Sequence, residues 1–462
     1  MNAIILSAIW GVVMMFGGVF FKKASTPKYW AIAGLIIILA ANIFEFLGKP
    51  LFNIDTKGML DFDNFGLHFN TIAFFCTLIY FLLSGRDVEK VGKHVSEYFA
   101  LIFFVLCGVA IASSYTSLLM LFLGIEIISI PLYILTGSDK LNLKSNEASL
   151  KYFLMGAFST GIMLMGITFL YGGNTLGSFN INTMNLGAGS LPVMIAIGLV
   201  LLVVSMSFKV SAAPFHFWAP DVYDGAPTVF TSFMATIVKV AGFIAFIRLF
   251  QNQLGLMQAQ WQMLIVIITA TTLVIGNLTA VFQQSVKRML AYSSIAQAGF
   301  MLLALFALND TAKEGLILYT AAYSLATIGL FAILVRMHDY TIEGFNGLSK
   351  TQPVLAFAAT IFLLSLTGIP LTAGFTAKFY MLLAAVKNGH QFWLVILAVL
   401  CAAISAYYYF KVIQAMYFKE PAEDTGHQMD VPPSFKWLLI FTAAIIIILG
   451  IVPGLVIDWL YY

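Results

Sequence analysis

The sequence predicts an all-α polytopic membrane protein with fourteen transmembrane helices. Hydrophobic residues fill 61% of its 462 positions, and only 10% of the residues are charged. The mean hydropathy is +0.94, and apolar runs long enough to cross a bilayer recur along the whole chain. A soluble protein of this length needs more charged residues to cover its surface. We therefore expect the chain to lie in a lipid bilayer.

The apolar runs give the helices in order. They lie near residues 2–21, 29–47, 68–84, 97–113, 116–136, 148–171, 191–213, 227–250, 261–282, 289–307, 314–336, 353–385, 391–417 and 437–458. Pro214 interrupts the seventh run and Pro370 the twelfth. A proline inside a helix removes one hydrogen bond and clashes with the preceding turn, so we expect both helices to be broken.

Lysine and arginine residues orient these helices. Loops after odd-numbered helices, with the adjoining helix ends, hold fifteen of the 24 basic residues: Lys22, Lys23, Lys28, Arg86, Lys90, Lys93, Lys140, Lys144, Lys287, Arg288, Arg336, Lys350, Lys411, Lys419 and Lys436. Loops after even-numbered helices hold five: Lys49, Lys57, Arg248, Lys313 and Lys387. Because positive residues concentrate on the cytoplasmic side, we expect the odd-numbered loops there and both termini on the periplasmic side.

The helix pattern also predicts two inverted five-helix repeats, helices 4–8 and 9–13. The fourth helix of each set is the proline-broken one, and an odd helix number inverts the second set relative to the first. Paired broken helices are typical of a transport pathway. The expected divisions are three N-terminal helices over 1–95, repeats over 96–250 and 258–418, and a cytoplasmic loop with the last helix over 419–462.

Four lysines fall within the predicted helices, and Lys209 stands just before the break at Pro214. A charge near the middle of a bilayer costs about 2.5–3.5 kcal/mol on insertion scales, so it needs a partner. Glu126 is the only acidic residue that we place deep in a helix, whereas Lys209, Lys239 and Lys378 are three deep bases. A static ion pair explains one lysine but leaves the other two unexplained.

This excess of buried bases indicates proton handling. Burial disfavours the charged form of a lysine, and a nearby carboxylate favours it. Movement of Glu126 toward or away from Lys209 would therefore make that lysine hold or release a proton. The alternative is a structural ion pair between Glu126 and one lysine.

Other polar residues are weaker candidates. His216 has two interpretations. It is either a proton relay from Lys209 to water or Lys239, or an ordinary interfacial histidine. Lys151 is a relay, or a lysine whose side chain extends to the membrane surface. For Asp221 and Asp224 the favoured interpretation is that they cap the eighth helix, and the alternative is that they belong to a site of proton uptake. Between Lys239 and Lys378 the candidates are Tyr292, Ser293, Ser294, Gln297, Tyr319 and Tyr323, and a path there needs ordered water.

The chain has no nucleotide-binding, haem or metal motif, so we expect no cofactor, catalytic triad or metal site in it. Cys76, Cys107 and Cys401 lie in apolar runs without CxxC spacing and are interpreted as buried small residues. The net charge of +3 and the lack of a basic tract argue against nucleic acid as a partner.

Long motifs resemble the antiporter-like proton-channel subunits of respiratory complex I. One is FKVSAAPFHFWAPDVYDGAP at Phe208–Pro227, followed by TSFMATIVKVAGF at Thr231–Phe243. GIEIISIPLYIL at Gly124–Leu135, KRMLAYSSIAQAGF at Lys287–Phe300 and GIPLTAGFTAKFY at Gly368–Tyr380 are similar, more narrowly, to the subunit N family of NADH:quinone oxidoreductase. The resemblance covers about residues 95–415 strongly.

The resemblance implies a non-redox membrane subunit of a proton-translocating enzyme, with FMN, iron–sulfur clusters and quinone in partner subunits. It places Glu126, Lys209, Lys239 and Lys378 at the family's relay positions. Lys151 and His216 fall at family polar positions too. The family often has a histidine where this chain has Gln297.

The implied partners are the antiporter-like subunit M and small membrane subunits. Subunit M usually has a glutamate where Lys378 stands, and subunit L has a long lateral helix that this sequence lacks, so subunit N is favoured. The first three helices, which metazoan mitochondrial members of the family lack, imply a bacterial or plastid source. Of these the bacterial source is favoured, and hence a bacterial inner membrane. Two alternatives remain, a subunit of a multi-subunit sodium/proton antiporter and a purely structural membrane subunit.

Overall fold

Apolar helices make up most of the chain. In a computed structural model, the described residues are 1–21, 25–174, 176–184, 192–251, 254–421 and 431–461. Within them, twelve helices are long and apolar enough to cross a membrane. The prediction of an all-helical membrane protein is confirmed. Lys22 and Lys23, which we counted with the cytoplasmic loops, lie outside the described residues.

The helices follow the predicted order, and we number them by predicted span. The first eight spans are α1 Asn2–Phe20, α2 Thr26–Phe46, α3 Asn64–Ser84, α4 Val95–Ala112, α5 Leu118–Thr136, α6 Leu143–Gly173, α7a Val193–Lys209 with α7b Trp218–Gly225, and α8 Thr228–Phe250. The remaining spans are α9 Gln258–Val281, α10 Val286–Ala307, α11 Asp310–Leu334, α12a Pro353–Thr367 with α12b Ala373–Lys387, α13 Phe392–Phe418 and α14 Pro433–Ile451.

Side-chain caps set several helix starts. The Asp63 carboxylate accepts from the Gly66 N–H at the start of α3, and Asn309 accepts from the Ala312 N–H at the start of α11. Asn142 accepts from the Lys144 N–H, so α6 begins at Leu143, a few residues before the expected start. Hydropathy locates the spans but does not show where polar caps lengthen them.

The first helix break is stabilised by a donor from α7b and by an acceptor from α9. The Trp218 indole N–H donates to the Phe208 carbonyl over 3.0 Å, so the end of α7a keeps a partner. The Ala213 N–H donates to Thr272 Oγ1 of α9 over 2.9 Å. Carbonyls and amides released inside a membrane need such partners.

The second break is held from within its own span. The Lys378 ammonium of α12b donates to the carbonyls of Leu366 and Thr367 at the end of α12a, over 2.8 and 3.0 Å. The Gly374 N–H donates to Ser365 Oγ over 3.1 Å. A buried lysine thus caps the helix that the break shortens.

Helix burial places the polar residues at the centre of the bundle. The spanning part of α11 is completely buried, and those of α8 and α10 are nearly so, whereas α1 and α14 are mostly exposed. α11 packs against α3, α12a and α12b, and α10 packs against α9 and α12b. Lysines on α8 and α12b therefore lie in the middle of the protein.

We expect Gly374→Ala to destabilise the second break. A Cβ at Gly374 would overlap the Ser365 carbonyl oxygen, which is backbone and cannot turn away. Overpacking of this kind costs about 1–3 kcal/mol, so the thermal midpoint of the full chain in detergent should fall. Gly161→Ala on α6 is the matched control, because a Cβ there meets nothing within 4 Å. Equal midpoints for the two variants would contradict the close packing.

Candidate functional site

Glu126 and Lys209 lie together, joined by hydroxyl groups. Glu126 Oε1 is 3.9 Å from Lys209 Nζ, and their side chains are 22% and 10% exposed. The Thr160 hydroxyl of α6 donates to Glu126 Oε1 over 2.7 Å and accepts from Lys209 over 3.3 Å. Lys209 also donates to Ser129 Oγ over 3.1 Å. The ion pair is long, and a threonine hydroxyl bridges it.

Lys239 lies on α8 immediately after a π-helical turn, Met234–Val238. Its ammonium donates to the Ser294 carbonyl over 2.9 Å and to Ser294 Oγ over 2.8 Å. It also lies 5.7 Å from the centre of the Tyr223 ring. Because π turns occur often at functional sites and rotate the residues that follow, this turn sets the direction of Lys239. All its hydrogen-bond partners in the described residues are neutral.

Lys378 has neutral surroundings as well. Besides the Leu366 and Thr367 carbonyls, its ammonium faces the Phe300 ring, 4.5 Å from the ring centre. Among the described residues, no carboxylate lies within 4.0 Å of Lys239 or Lys378. Of the three deep lysines, therefore, only Lys209 has an acidic partner there.

Polar groups fill part of the space between Lys239 and Lys378. The Gln297 amide N–H donates to the Leu366 carbonyl over 2.9 Å and to the Tyr409 hydroxyl over 3.3 Å, and its oxygen accepts from Tyr319. Tyr409 also pairs with Ser293, the neighbour of Ser294. Gln297 and Lys378 therefore share the Leu366 carbonyl as acceptor.

A small cavity lies beside Gln297 and Lys378. Its volume is about 10 Å³, and its lining includes Gln297, Tyr319, Tyr323 and Lys378. That volume is close to the space that one water occupies. Of the other candidates, the Tyr323 hydroxyl donates to the Ala235 carbonyl in the π turn, and Tyr292 lies half-buried against the apolar core.

His216 lies between the two helical parts of the seventh span. It is only 6% exposed, and its ring lies 4.7 Å from that of Phe217. Within the described residues its Nδ1 atom has no hydrogen-bond partner. The structure brings it to the break but shows no direct contact with Lys209 or Lys239.

Lys151 is part of a separate ionic cluster. It pairs with Glu147 over 2.8 Å and with Asp221 over 3.0 Å, and Asp221 pairs with Arg288 over 3.1 Å. A polar cavity of about 240 Å³ lies among these side chains and Asp224. The cluster joins α6 and α7b to the start of α10.

The expectation that Asp221 and Asp224 cap the eighth helix is wrong. Pro227 occupies the N-cap position of that helix, with no side-chain hydrogen bond. Asp221 lies in the first turn of α7b and pairs with Lys151 and Arg288, the two basic residues of the cluster. Charge pairing across helices outweighs local capping here.

Two buried basic residues were missed. Arg248, counted with the loops, lies inside α8 at 4% exposure. Its guanidinium pairs with Asp63 over 2.9 Å and donates to the carbonyls of Tyr115 and Asp61. Lys287, also counted with the loops, is 4% exposed and donates to the carbonyls of Asp224 and Ala226. The apolar run IAFIRLF around Arg248 was the available signal.

Buried lysines beside two broken helices are characteristic of ion-translocating membrane proteins. Residues 115–405 match the family described as NADH:quinone oxidoreductase/Mrp antiporter, TM. The chain is 39% identical to NADH-quinone oxidoreductase subunit N of Cytophaga hutchinsonii, covering 99% of both chains, and 39% identical to that of Flavobacterium johnsoniae, covering 95% of both. It belongs to the NADH-quinone oxidoreductase subunit N family.

Solved structures show the same fold. A chain of respiratory complex I from Thermus thermophilus with bound aureothin is similar with a TM-score of 0.83 and 31% identity, over 99% of this chain and 98% of that one. A chain of the Mrp complex from Dietzia sp. DQ12-45-1b has a TM-score of 0.85 but 19% identity, over 99% and 95%. The second likeness shows the fold alone.

We expect Asp63→Asn to lower the stability of the chain. The change leaves the Arg248 side chain, which is 5% exposed, without its half-exposed carboxylate partner. Loss of the acceptor of a buried donor costs about 1–3 kcal/mol. A fall in the thermal midpoint of the purified full chain would show this. Asp310→Asn is the control, since the Asp310 side chain is 82% exposed in its pair with Lys313 and such pairs contribute about 0–1 kcal/mol. Similar midpoints for both variants would show that the Asp63–Arg248 pair contributes no more to stability than the exposed Asp310–Lys313 pair.

Proposed function

We propose that this chain is the proton-translocating membrane subunit of an NADH:quinone oxidoreductase. The observation that carries the proposal is the set of three buried lysines with one nearby carboxylate, which a static ion pair does not explain. The subunit N relatives and the similar complex I chain support it. FMN, iron–sulfur clusters and quinone would lie in partner subunits, and this chain would contribute proton transport to the translocase.

The proposed topology has fourteen spans. The twelve long helices and the broken spans seven and twelve make up this number. Helices 4–8 and 9–13 would form the inverted repeats, over 96–250 and 258–418, between the N-terminal helices of 1–95 and the segment 419–462. Both termini would be periplasmic, in a bacterial inner membrane. A labelling reagent that cannot cross the membrane should reach cysteines placed at either terminus from the periplasmic side only.

Proton transfer would begin at Lys209. At 3.9 Å, and with an effective dielectric constant near 20, Glu126 favours the ammonium form by about 4 kcal/mol. When the carboxylate moves away, this attraction is lost and burial favours release of the proton. The Thr160 hydroxyl keeps the two groups connected while the ion pair is loose.

The released proton would move inward to Lys239 and then to Lys378. The Lys239 ammonium donates to the Ser294 hydroxyl. The preceding residue along the chain, Ser293, is hydrogen-bonded to the Tyr409 hydroxyl, which also accepts from the Gln297 amide. An amide and hydroxyls do not titrate near neutrality, so water in the small cavity would carry the proton past them. Lys378, held by carbonyls alone, would be the acceptor at the end of this path.

Two further residues would serve proton uptake. The Lys151 cluster surrounds a polar cavity at the ends of α6 and α10, on the side with the greater basic count. His216 would carry the proton between this side and Lys209, since imidazole titrates near neutral pH. Its Nδ1 atom, unpartnered among the described residues, would then receive a water.

The partner subunits would include one that covers Glu126. This glutamate stands in the middle of α5, and its side chain is 22% exposed. Because a charged group does not face lipid, a neighbouring membrane subunit should cover it, either the antiporter-like subunit M or a small membrane subunit. Purification through a tag on this chain should bring down these subunits with a flavin- and iron–sulfur-containing assembly.

The second candidate function is a subunit of a sodium/proton antiporter. The similar fold of the Mrp complex chain favours it, but only at 19% identity. Antiport runs on an ion gradient alone, whereas the proposed function needs quinone reduction. Sodium-driven proton movement in vesicles without NADH would support the antiporter and contradict the proposal.

We expect Lys209→Arg to lower proton pumping as strongly as Lys209→Ala. Arginine keeps the positive charge beside Glu126 but does not release its proton. A structural ion pair would tolerate arginine, and a relay would not. Protons pumped per NADH oxidised should be measured in vesicles containing the assembled complex, with exposed Lys350→Arg as control. Normal pumping in the arginine variant would refute the relay at Lys209.

We expect Gln297→Leu to impair pumping while the complex still assembles. Leucine has nearly the same size but removes the donor to Leu366 and the acceptor for Tyr319, so water in the cavity loses its polar lining. Gln297→His should retain pumping, because histidine restores polar contacts and can itself titrate. Exposed Gln284→Leu is the control. Pumping in Gln297→Leu equal to that of the control would show that the path lies elsewhere.

A further inference from the structure

A cavity of about 180 Å³ lies where four helix ends meet, and none of the three deep lysines lines it. The start of α2, the end of α3, the residues after α11 and the start of α14 surround it. Its lining includes three basic residues, Lys28, Arg86 and Arg336, above apolar side chains such as Ile32 and Leu438. The described lining contains no carboxylate. From this arrangement we propose that the cavity binds the phosphate of an anionic phospholipid.

The charges around the cavity do not balance. Asp87, the nearest buried carboxylate, is already shared by Arg336 over 3.4 Å and Lys90 over 2.8 Å. Glu89 is the other acidic neighbour of Lys28. Among the described residues, four basic groups, Lys28, Arg86, Lys90 and Arg336, therefore face two acidic ones. Two positive charges remain for an anion.

Arg336 has an unused donor at this place. Its guanidinium stacks on the Phe435 ring, 4.0 Å from the ring centre. Its Nε atom is buried and has no hydrogen-bond partner among the described residues. A buried donor without an acceptor costs about 1–3 kcal/mol, and a phosphate oxygen is a strong acceptor for arginine.

The shape of the cavity favours a lipid over an acidic protein side chain. Ile32 and Leu438 form an apolar wall below the basic groups, continuous with the exposed Ile36 of α2. Tyr29, which is 58% exposed, lies at the rim, and tyrosine is common at the level of lipid headgroups. A phosphodiester with an acyl chain matches both parts, whereas a carboxylate matches only the basic part.

Photo-crosslinking tests this inference in the assembled complex. The complex would be placed in phosphatidylethanolamine vesicles with a photoactivatable phosphatidylglycerol, and crosslinked peptides would be identified by mass spectrometry. We expect crosslinks at the starts of α2 and α14. Unlabelled phosphatidylglycerol should compete, and neither phosphatidylethanolamine nor inorganic phosphate should.

Removal of single positive charges from the cavity should change the amount of crosslink labelling by a measurable factor. Each basic residue near an anionic lipid surface contributes enough to change affinity about fivefold. Arg336→Gln and Arg86→Gln should therefore each lower labelling at subsaturating lipid about fivefold, and Lys350→Gln, outside the cavity, should not. Arg86 is exposed, so its variant keeps the test valid where Arg336→Gln fails to assemble.

Three results would overturn the inference. Unchanged labelling in Arg86→Gln would show that the cavity does not recognise charge. Competition by inorganic phosphate would assign the site to a free anion, and crosslinks from the cavity to a partner subunit would assign it to a protein contact.

Discussion

A peptide carbonyl that loses its helical partner inside a membrane needs another donor, and this requirement shapes the centre of the protein. At the first break an indole supplies the donor, since Trp218 binds the Phe208 carbonyl. At the second break an ammonium does so, since Lys378 binds the carbonyls of Leu366 and Thr367. Lys378 therefore has a structural task and, in the proposed mechanism, a chemical one. A neutral amine still has two N–H donors, so both tasks are compatible.

The three deep lysines have different surroundings. Lys209 has a carboxylate and two hydroxyls around it, and in the proposed mechanism the carboxylate controls its charge. Lys239 and Lys378 have only neutral hydrogen-bond partners in the described residues, so burial has no nearby negative charge to oppose it. In the proposed mechanism, a proton that leaves Lys209 next reaches Lys239 and Lys378, which have no carboxylate beside them in the described residues. This difference gives the proposed path a direction. The lysine beside a carboxylate comes first, and the two lysines with neutral partners follow.

Hydropathy and proline positions were enough to predict the helices and both breaks, because these depend on the local sequence. The scarcity of charge also singled out Glu126 as the partner of Lys209. The apolar run around Arg248 could have indicated that this residue is buried. Lys287 and the pairing of Asp221 were beyond such reasoning, since charges near helix ends look the same whether they meet water or another helix. The partner of Lys239 depends on how α8 and α10 are rotated against each other. No single-chain pattern contains that rotation.

The π turn before Lys239 shows how finely this rotation is set. An α-helix turns by about 100° per residue, and the wider turn at Met234–Val238 accommodates one extra residue without ending α8. The direction of a buried charge is thus fixed by a count of residues as well as by their identity. A surface loop often changes length at little cost in stability. Loss of one residue within this turn would instead aim the ammonium away from Ser294 and into apolar packing. This helix is therefore a segment where an insertion or deletion is more damaging than most substitutions.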